Sequence, residues 1–522
     1  IEENTLAIYL EDEPINYIPD RESGYTLDMT KSSCNNGVTI SFDYNTWSVK
    51  TNYSNYTNTD NTRVKCSLYF TDKYIEPILN GTDPILEDPL IPVTISDDGT
   101  VRKADLASEW YDYETKQWAN AVILFDETKT YASGDIIPEE NIESYFVWIP
   151  KYRYQLWDLG LYDSMTEIDT NKIHEIPVIF GDYNTSDSVS GECTTPMESG
   201  ASGNCRVGDY MTHPAFLSIP STGFWVGKFE TGYEGATTVT EAEQNVRNAS
   251  QIQIKPNVYS WRSIQIANAF YTSYDYQRNL DSHMMKNTEW GAVAYLQHSI
   301  NGSIPSVRQN NNSDFITGYQ ANENTVTSCN DYTCNSAYPN SVLASTTGNI
   351  TGVFDMAGGS WDYVMGVIMD KNGDPISGAS GTKNSGFNGP LGCSYKGDDE
   401  VCLDDTTSLT EVVDGYNWPS EKYIDFYNYN TKGNQHYALY NRILGDATGE
   451  TGPYEIGSTT GIFCSWENTI SMTSQFYSWF SRGYDSYYNN YAVSLTANSQ
   501  WGGAYSNTSF RIILTPTGVS QN

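Results

Sequence analysis

Short runs of alternating apolar and polar residues recur along this chain, and they restrict it to a fold built mainly from β-strands. Such runs occupy residues 5–10, 37–42, 47–49 and 64–70, and turns rich in Asn, Asp and Ser separate them. A period of two places successive side chains on opposite faces of a strand. The pattern therefore predicts many short strands joined by polar turns.

Two segments instead have the spacing of a helix, residues 263–271 and 281–298. In the second segment one helical face is predicted to carry Met284, Met285, Trp290, Val293 and Leu296. The chain has 41 Tyr, 41 Gly and 13 Trp with only 18% charged residues, which is typical of aromatic strands and polar loops. We predict an α+β chain in which strands dominate.

The 522 residues are more than one hydrophobic core usually organises, so we predict several units. Residues 1–75 are predicted to form a small β-domain for attachment or assembly. Residues 76–135 combine a Pro-rich acidic linker with a short β-unit, in which Trp110, Tyr113 and Trp118 indicate a hairpin with aromatic cross-strand pairs. Residues 136–517 form one large domain whose long polar loops are typical of a scaffold that displays them.

The charge of the chain excludes some classes of partner. A formal net charge of −36 argues against nucleic acid and against an anionic membrane, because both require neutralisation by Lys and Arg. No run approaches the roughly 20 apolar residues that cross a bilayer, so we expect no membrane span in this chain. The sequence begins at Ile1 rather than Met, and we expect a processed protein outside the cell or on its surface. The alternative location is the tail of a virion.

Eight of the nine cysteines fall into four near pairs. These pairs are Cys34 with Cys66, Cys193 with Cys205, Cys329 with Cys334, and Cys393 with Cys402. Disulfides are favoured because each bridge would restrict a polar loop that has little core of its own. Metal ligation is the alternative, although no pair has C-x2-C spacing and no His pair accompanies one. Cys464 is left over and is predicted to be a buried free thiol.

Five motifs of the large region resemble the formylglycine-generating-enzyme (sulfatase-modifying factor) family. They are FWVGKFE at 224–230, NTEWGAVAYL at 287–296, NITGVFDMAGGSWDYV at 349–364, Arg482-Gly483 and Phe510-Arg511. The third is similar to the family signature NxxGLYDMxGNVWEW, and the last two are similar to its closing RGG and GFR elements. Their order over about 290 residues makes the resemblance specific.

The resemblance implies a C-type-lectin-like fold. It also implies that the scaffold of this fold includes Trp290, Trp361, Trp479, Arg482, Gly483, Trp501, Phe510 and Arg511. From the residues alone, Arg482 and Arg511 stand among aromatic residues, where pairing with carboxylates or stacking on rings is expected.

The residues needed for catalysis in that family are missing from the expected positions. The resemblance implies a redox-active cysteine pair between the two Arg motifs, but no cysteine lies between Arg482 and Arg511. The related sulfoxide synthases need three iron-binding histidines. The histidines of this chain show no such spacing: they are His174, His213, His283, His298 and His436. We therefore expect no enzyme and no cofactor.

The segment between the last two motifs has the composition of a binding surface. The resemblance extends to ligand-binding proteins diversified by retroelements, in which Asn-type codons become Asn, Asp, Ser, Tyr, Gly, Thr or Ala. The predicted ligand-binding residues are Tyr484, Asp485, Ser486, Tyr487, Tyr488, Asn489, Asn490, Tyr491, Asn498, Ser499, Gln500, Ala504, Tyr505, Ser506 and Asn507. Tyr with Ser and Asn is also the composition of antibody paratopes. The alternative is an ordinary polar loop in a Tyr-rich protein.

These observations predict a non-catalytic extracellular adhesin that binds a protein or glycan on another cell or particle. A structural calcium ion is the one cofactor alternative, with Asp370, Asn372 and Asp374 as candidate ligands, although a solvated turn explains that segment as well. Two other functions stay open. One is a subunit of a surface filament or pilus, a homo-oligomer assembled through the N-terminal β-domain. The other is a phage tail-tip protein that binds a receptor.

Overall fold

A computed structural model describes part of the chain. The described residues are 5–9, 26–27, 32–43, 48–52, 57, 64–71, 83–156, 175–181, 208–219, 221–303, 309–310, 333–334, 338–369, 385–387, 393–396, 399–402, 412–413, 416–417, 419–430, 439–440, 443–447, 462–464, 469–471, 478–483, 495 and 497–516. They belong to two compact units, Ile1–Asp83 and Pro84–Asn522. Each unit is described below by itself.

The first unit is a small β-structure closed by a disulfide. Its strands are β1 (Thr5–Tyr9), β2 (Thr26–Leu27), β3 (Ser33–Cys34), β4 (Thr39–Asp43), β5 (Ser48–Asn52) and β6 (Lys65–Thr71). β6 pairs with β1, β2 and β3, whereas β4 and β5 form a hairpin. Val38, Val49 and Leu68 are buried in its core. Cys34 and Cys66 form the predicted disulfide.

The second unit contains the remaining elements. Its strands are β7 (Ile91–Ile95), β8 (Val101–Lys103), β9 (Asn120–Leu124), β10 (Ile142–Pro150), β11 (Tyr152–Gln155), β12 (Val178–Phe180), β13 (Tyr210–Thr212), β14 (Gly223–Gly227), β15 (Gly232–Tyr233), β16 (Ile252–Gln253), β17 (His283–Met284), β18 (Gln309–Asn310), β19 (Thr333–Cys334), β20 (Trp361–Met369), β21 (Cys393–Lys396), β22 (Asp399–Cys402), β23 (Val412–Val413), β24 (Tyr416–Asn417), β25 (Asp425–Asn430), β26 (Leu439–Tyr440), β27 (Ile462–Cys464), β28 (Thr469–Ser471), β29 (Trp479–Arg482), β30 (Ala497–Gln500), β31 (Thr508–Phe510) and β32 (Ile512–Leu514). The α-helices are α1 (Ile266–Tyr276) and α2 (Asn287–Gln297). Short 3-10 helices occupy Glu139–Asn141, Pro214–Phe216, Thr240–Ala242, Ala249–Gln251, Arg278–Leu280 and Val342–Ala344. The described part of the chain is thus mostly strand with two α-helices, as the α+β prediction requires.

Two sheets organise the second unit. The first has seven strands in the order β17-β32-β14-β10-β9-β7-β8, and the second has six, with β26-β25-β20-β29-β30 as its path and β31 beside β20. Every residue of β9, β14 and β20 is buried. Strands buried along their whole length need cover on both faces, which explains their continuous apolar sequences.

The predicted boundary between residues 135 and 136 is wrong. β9 pairs with β7 on one side and with β10 on the other, so residues 91–124 continue the sheet of the large region. The cause is that β9 is buried along its length and its backbone groups need partners at both edges. The predicted linker and short β-unit therefore belong to the second unit from residue 84 onward.

The two helices confirm the segments with helical spacing, with one difference. Helix α2 begins at Asn287, because His283–Met284 form strand β17 against β32 instead. Met284 and Met285, which were predicted to lie on a face of this helix, therefore precede it. All residues of α2 are buried, and the helix packs against β20 and Pro214–Phe216.

Gly291 makes this burial of α2 sterically feasible. A Cβ at this position would lie 2.0 Å from the carbonyl oxygen of Gly445, so only glycine lets the two backbones approach.

The chain passes between the two sheets at a single residue near its end. β31 pairs in parallel with β20, whereas β32 pairs with β14 and β17 of the other sheet. Arg511 is the residue between β31 and β32. The last predicted motif, Phe510-Arg511, thus lies where the sheets are joined.

Three further cysteine pairs were predicted. Cys393 and Cys402 lie opposite each other in the β21–β22 register, and Cys334 lies in β19. Cys193, Cys205 and Cys329 lie outside the described residues, so those pairings stay predictions, as does the free thiol at Cys464. None of the helices in the described ranges has the length and apolar character needed to cross a membrane.

Candidate ligand-binding surface

The five motifs are far apart in the sequence, but they contact one another in the interior of the second unit. Gly483 packs on the ring of Trp290 and on the backbone of Met356, since a Cβ there would lie 3.3 Å from Trp290 Cη2 and 3.3 Å from Met356 O. The N–H of Gly358 donates to Gly483 O at 3.0 Å. Motifs from α2, from residues 349–364 and from the end of β29 therefore form one junction.

Arg511 connects two further motifs to this junction. Its Nη1 donates to Gly227 O at 2.8 Å, and its Nη2 donates to Asp355 O at 3.1 Å and to Asp362 Oδ2 at 3.4 Å. Glu230 Oε1 accepts the N–H of Ser360 at 3.0 Å. All five motifs are thus linked by direct contacts in the buried interior.

The acidic side chains in this interior are held away from water. Burial raises the pKa of Asp355 to about 7 and that of Asp362 to about 6, although Arg511 opposes both shifts. Burial, with the nearby charges of Asp362 and Asp355, raises the pKa of Glu230 as well. Within the described residues, Asp355 Oδ2 and Asp362 Oδ1 are buried without a hydrogen-bond partner. These four side chains, Glu230, Asp355, Asp362 and Arg511, are called the acid–arginine cluster below.

A pair of strands leads from this interior to the predicted surface. β29 and β30 are antiparallel, with Trp479 opposite Gln500 and Arg482 opposite Ala497. Trp479 is fully buried and stacks on Phe387 at 5.7 Å between ring centroids. Arg482 is fully buried and donates from Nη2 to Ala447 O at 3.2 Å. Arg482 and Ala497, which precede and follow residues 483–496 in the chain, are therefore fixed to the core.

The loop after β30, residues 501–507, is called the display loop here. Distant parts of the chain donate hydrogen bonds to its carbonyl groups. Ile266 N donates to Gly502 O at 3.0 Å, Ser263 N to Tyr505 O at 2.9 Å, and Trp361 N to Asn507 O at 2.8 Å. These three bonds tie the loop to the start of α1 and to β20.

A fourth hydrogen bond and a glycine complete the anchoring of the display loop. The hydroxyl of Tyr363 donates to Gly503 O at 2.9 Å. Gly502 has a φ of +73°, and a Cβ there would lie 2.7 Å from Trp479 Cδ1. The loop backbone is thus packed on a core tryptophan and needs glycine at this turn.

The side chains of the display loop differ in their exposure to solvent. Ala504 and Ser506 are exposed, and Trp501, Tyr505 and Asn507 are half-buried. The rings of Trp501 and Tyr505 lie 6.4 Å apart at an interplanar angle of 67°. A fixed backbone with exposed small side chains and half-buried aromatic ones can offer contact area to a ligand at low entropic cost.

Most of the predicted scaffold residues are buried. Trp290, Trp479, Arg482, Phe510 and Arg511 have no exposed surface, and Trp361 is nearly as buried. Trp501 differs, because it is half-buried at the base of the display loop.

The predicted ligand-binding residues divide into two groups. Asn498 and Gln500 are half-buried on β30, Ser499 lies in the same strand, and Ala504, Tyr505, Ser506 and Asn507 follow in the display loop. The larger cluster lies outside the described residues: Tyr484, Asp485, Ser486, Tyr487, Tyr488, Asn489, Asn490 and Tyr491. In the chain this cluster follows directly after Gly483, whose position is fixed.

Sequence reasoning missed the residues that hold the display loop. Ser263, Ile266 and Tyr363 contact it from positions more than a hundred residues away. No local pattern marks such contacts, because two of them use backbone N–H groups that every residue except proline has. The positive φ of Ser263, 56°, is the one local sign that this position is special, and it is visible only in the structure.

Two histidines in this unit have clear structural partners. His213 Nε2 contacts Gly445 O at 2.8 Å, and burial lowers its pKa to about 3. His283 lies between the Asp281 carbonyl and the Glu289 carboxylate, and His298 is fully buried.

In the described ranges no three His, Cys, Asp or Glu side chains converge on a point that could hold a metal ion. The calcium candidates Asp370, Asn372 and Asp374 lie outside those ranges, as do His174 and His436. Comparison of the sequence with protein-family models and with curated proteins finds no match to either.

Proposed function

We propose that this chain is a non-catalytic, extracellular ligand-binding protein of the adhesin type. Its binding surface comprises residues 484–491, 498–500 and 504–507, presented by a domain with a C-type-lectin-like fold. The observation that carries the proposal is the display loop. Its backbone is fixed by four long-range hydrogen bonds, while the side chains of Ala504 and Ser506 are exposed.

The packing of the five motifs supports the lectin-like scaffold. A chance resemblance would scatter the motifs over the molecule, but here Trp290, Met356 and Gly483 touch, and Arg511 bonds to Gly227 and Asp362. The sequence similarity and the spatial proximity involve the same residues. Together they favour a common scaffold over five unrelated matches.

The separation of fixed and exposed groups supports a binding role. The core contacts of the display loop use carbonyl oxygens, which are present whatever the side chain is. Side chains at 504 and 506 can therefore change without loss of the anchors. This is the property that a surface diversified by a retroelement needs, because new ligands are sampled on an unchanged fold.

Direct binding measurements on the display loop test this role. We would screen the purified chain on an array of glycans and surface proteins, and compare it with Ser506→Arg. Ser506 is exposed, so a large charged side chain is tolerated in the fold but blocks contact. We expect Ser506→Arg to lose the wild-type signal with an unchanged Tm, and Tyr131→Ala, which lies elsewhere, to retain it. Equal signals for all three proteins would contradict the proposal.

Diversification is tested separately by sequence comparison between strains. Substitutions should concentrate at the codons of residues 484–491 and 504–507, at positions that are adenines in a nearby template copy. Residues such as Trp479 and Arg511 should stay constant. Strains in which 484–491 are invariant while core positions drift would exclude active diversification and leave the binding role intact.

A further inference from the structure

A groove on the first sheet of the second unit lies apart from the surface proposed above and shares no residue with it. It encloses about 290 Å³ between β7 and the hairpin of residues 109–118. Its lining includes Glu109, Trp110, Tyr111, Asp112, Gln117 and Trp118. This volume is at the lower end of the range of about 300–1,000 Å³ that holds drug-sized ligands. A small head group therefore fits it better than an extended ligand.

Two aromatic rings form adjacent walls of the groove. The centroids of Trp110 and Tyr111 are 5.1 Å apart, and their planes meet at 82°. Tyr111 also packs edge-on against Tyr113, whose hydroxyl donates to Trp148 O at 3.2 Å. Both rings line the groove, and their edge-to-face contact holds them in place. Aromatic rings at a binding site attract ammonium groups.

The hairpin that carries these rings is rigid. Asp112 and Gln117 exchange two backbone hydrogen bonds of 2.8 Å. Trp118 N donates to Thr351 Oγ1 at 3.0 Å, and Trp118 Nε1 donates to Asn301 O at 2.9 Å. The groove is thus formed before any ligand arrives, which reduces the entropic cost of binding.

The floor of the groove offers little hydrogen bonding to a ligand. The Asn120 amide donates to Trp118 O at 2.9 Å and to Thr351 O at 2.8 Å. Its Oδ1 accepts from Lys228 Nζ at 2.9 Å. Asn120 therefore uses both donors and its acceptor within the protein, and it separates the buried Lys228 from the groove. A ligand therefore finds no free donor at the Asn120 amide.

The rim of the groove is negative. Glu109 is exposed, and Asp112 Oδ1 accepts from Glu114 N at 2.9 Å while Oδ2 accepts from the Thr115 hydroxyl at 2.7 Å. The bonds from Thr115 lower the pKa of Asp112, so this carboxylate is charged at neutral pH. No Lys or Arg is among the described residues that line the groove. The negative charge of Asp112 can still attract a cation, although both carboxylate oxygens accept hydrogen bonds.

From these contacts we infer that the groove binds a small organic cation of the quaternary or methylated ammonium class. Trp110 and Tyr111 contact its methyl groups, and Glu109 and Asp112 balance its charge. Such a cation needs no hydrogen bond, which matches the satisfied floor. The negative charge of the whole chain, −36, attracts it from solution.

Choline chloride and 3,3-dimethylbutan-1-ol test the inference, because the two molecules share a shape and differ in charge. Binding to the full chain would be measured by titration calorimetry at matched ionic strength. We expect choline to bind in the millimolar range or tighter, and the neutral alcohol about ten-fold more weakly or not at all. Equal affinity for both, or binding of methyl glycosides without binding of choline, would overturn the inference.

Three variants locate the site. Trp110→Ala is expected to raise the Kd for choline about ten-fold, and Glu109→Gln about three-fold. Glu114→Gln removes an exposed carboxylate from the same hairpin that does not line the groove, and it should leave the Kd unchanged. Because Glu109 is exposed, its substitution tests the site even if Trp110→Ala unfolds. An unchanged Kd in Glu109→Gln and in a folded Trp110→Ala variant would overturn the inference.

Ser506→Arg should leave the Kd for choline unchanged. This result would separate the groove from the surface proposed above.

Discussion

Arg511 and Asp362 form an ion pair at 3.4 Å between Nη2 and Oδ2, and both side chains are buried completely or nearly so. Arg511 is the residue at which the chain passes from the second sheet to the first, and Asp362 lies in β20 at the centre of the second sheet. The pair therefore fastens the two sheets together. Asp362 lies in the chain between Trp361 and Tyr363, which both bond to the display loop. The effect of the pair on stability is measurable.

Substitution of Arg511 by Met should destabilise the fold strongly. It removes three hydrogen bonds and leaves Glu230, Asp355 and Asp362 without their cation, and breaking a buried pair in this way costs about 3–5 kcal/mol. Urea unfolding would measure the change. Arg511→Met combined with Asp362→Asn should lose less than the sum of the two single losses, because the two residues interact. Additive losses would show that the pair is not coupled.

Stability should fall as the pH rises from about 4 to about 7. Burial raises the pKa of Asp355 from an ordinary value of 3.8 to about 7, so the folded chain keeps a proton there that the unfolded chain has lost. Each such carboxyl lowers the free energy of unfolding by at most about 1.4 kcal/mol per pH unit within that window. Guanidinium unfolding between pH 4 and pH 8 would measure the trend.

The variant Asp355→Asn isolates the contribution of the acid–arginine cluster. Burial raises the pKa of Glu143 to about 7 as well, so the wild-type profile alone does not identify the group responsible. We expect Asp355→Asn to flatten part of the decline between pH 4 and pH 7. A profile that rises with pH in the wild type, or an unchanged slope in the variant, would contradict this assignment.

The pKa of His283 should lie above the ordinary value for histidine. Its Nδ1 faces the Asp281 carbonyl at 2.9 Å and its Nε2 faces Glu289 Oε1 at 3.0 Å, so both nitrogens meet acceptors. Burial lowers the pKa of His283, but the charge and hydrogen bond of Glu289 and the neighbouring Asp281 outweigh it, and the net shift is upward. Its stabilisation is present below about pH 6.5 and is lost as the pH rises through the folded pKa. NMR titration of the imidazole would give this value, and a pKa below that of free histidine would contradict the expectation.

Gly502→Ala should distort the display loop. The residue has a φ of +73°, and the new Cβ would lie 2.7 Å from Trp479 Cδ1. We expect a loss of about 1–3 kcal/mol in the free energy of unfolding. Gly235→Ala is the matched control, because Gly235 has a φ of +75° but no atom within 4 Å of the added Cβ. The difference between the two losses measures the clash alone, and equal losses would show that Gly502 is not packed as described.

The sequence predicts the elements of this fold better than it predicts their partners. Helical spacing identifies α1 and α2, and near neighbours in the sequence identify the Cys34–Cys66 disulfide, because both depend on short-range patterns. The boundary at residue 135 was wrong because β9 pairs on both sides, which its sequence does not reveal. The anchors of the display loop at Ser263 and Tyr363, and the groove between β7 and the hairpin of residues 109–118, also depend on tertiary structure.

The proposed function requires that tyrosines among residues 484–491 bind a ligand while buried residues such as Trp479 and Arg482 hold the fold. The most direct measurement compares the Tm and the ligand binding of two proteins, with the ligand taken from the array screen. They are the wild type and the triple variant Tyr487→Ala, Tyr488→Ala and Tyr491→Ala. We predict that the variant loses binding and keeps its Tm within a few degrees, since surface substitutions usually change stability by less than about 0.5 kcal/mol each. Retained binding, or a large fall in Tm that places these tyrosines in the core, would contradict the claim.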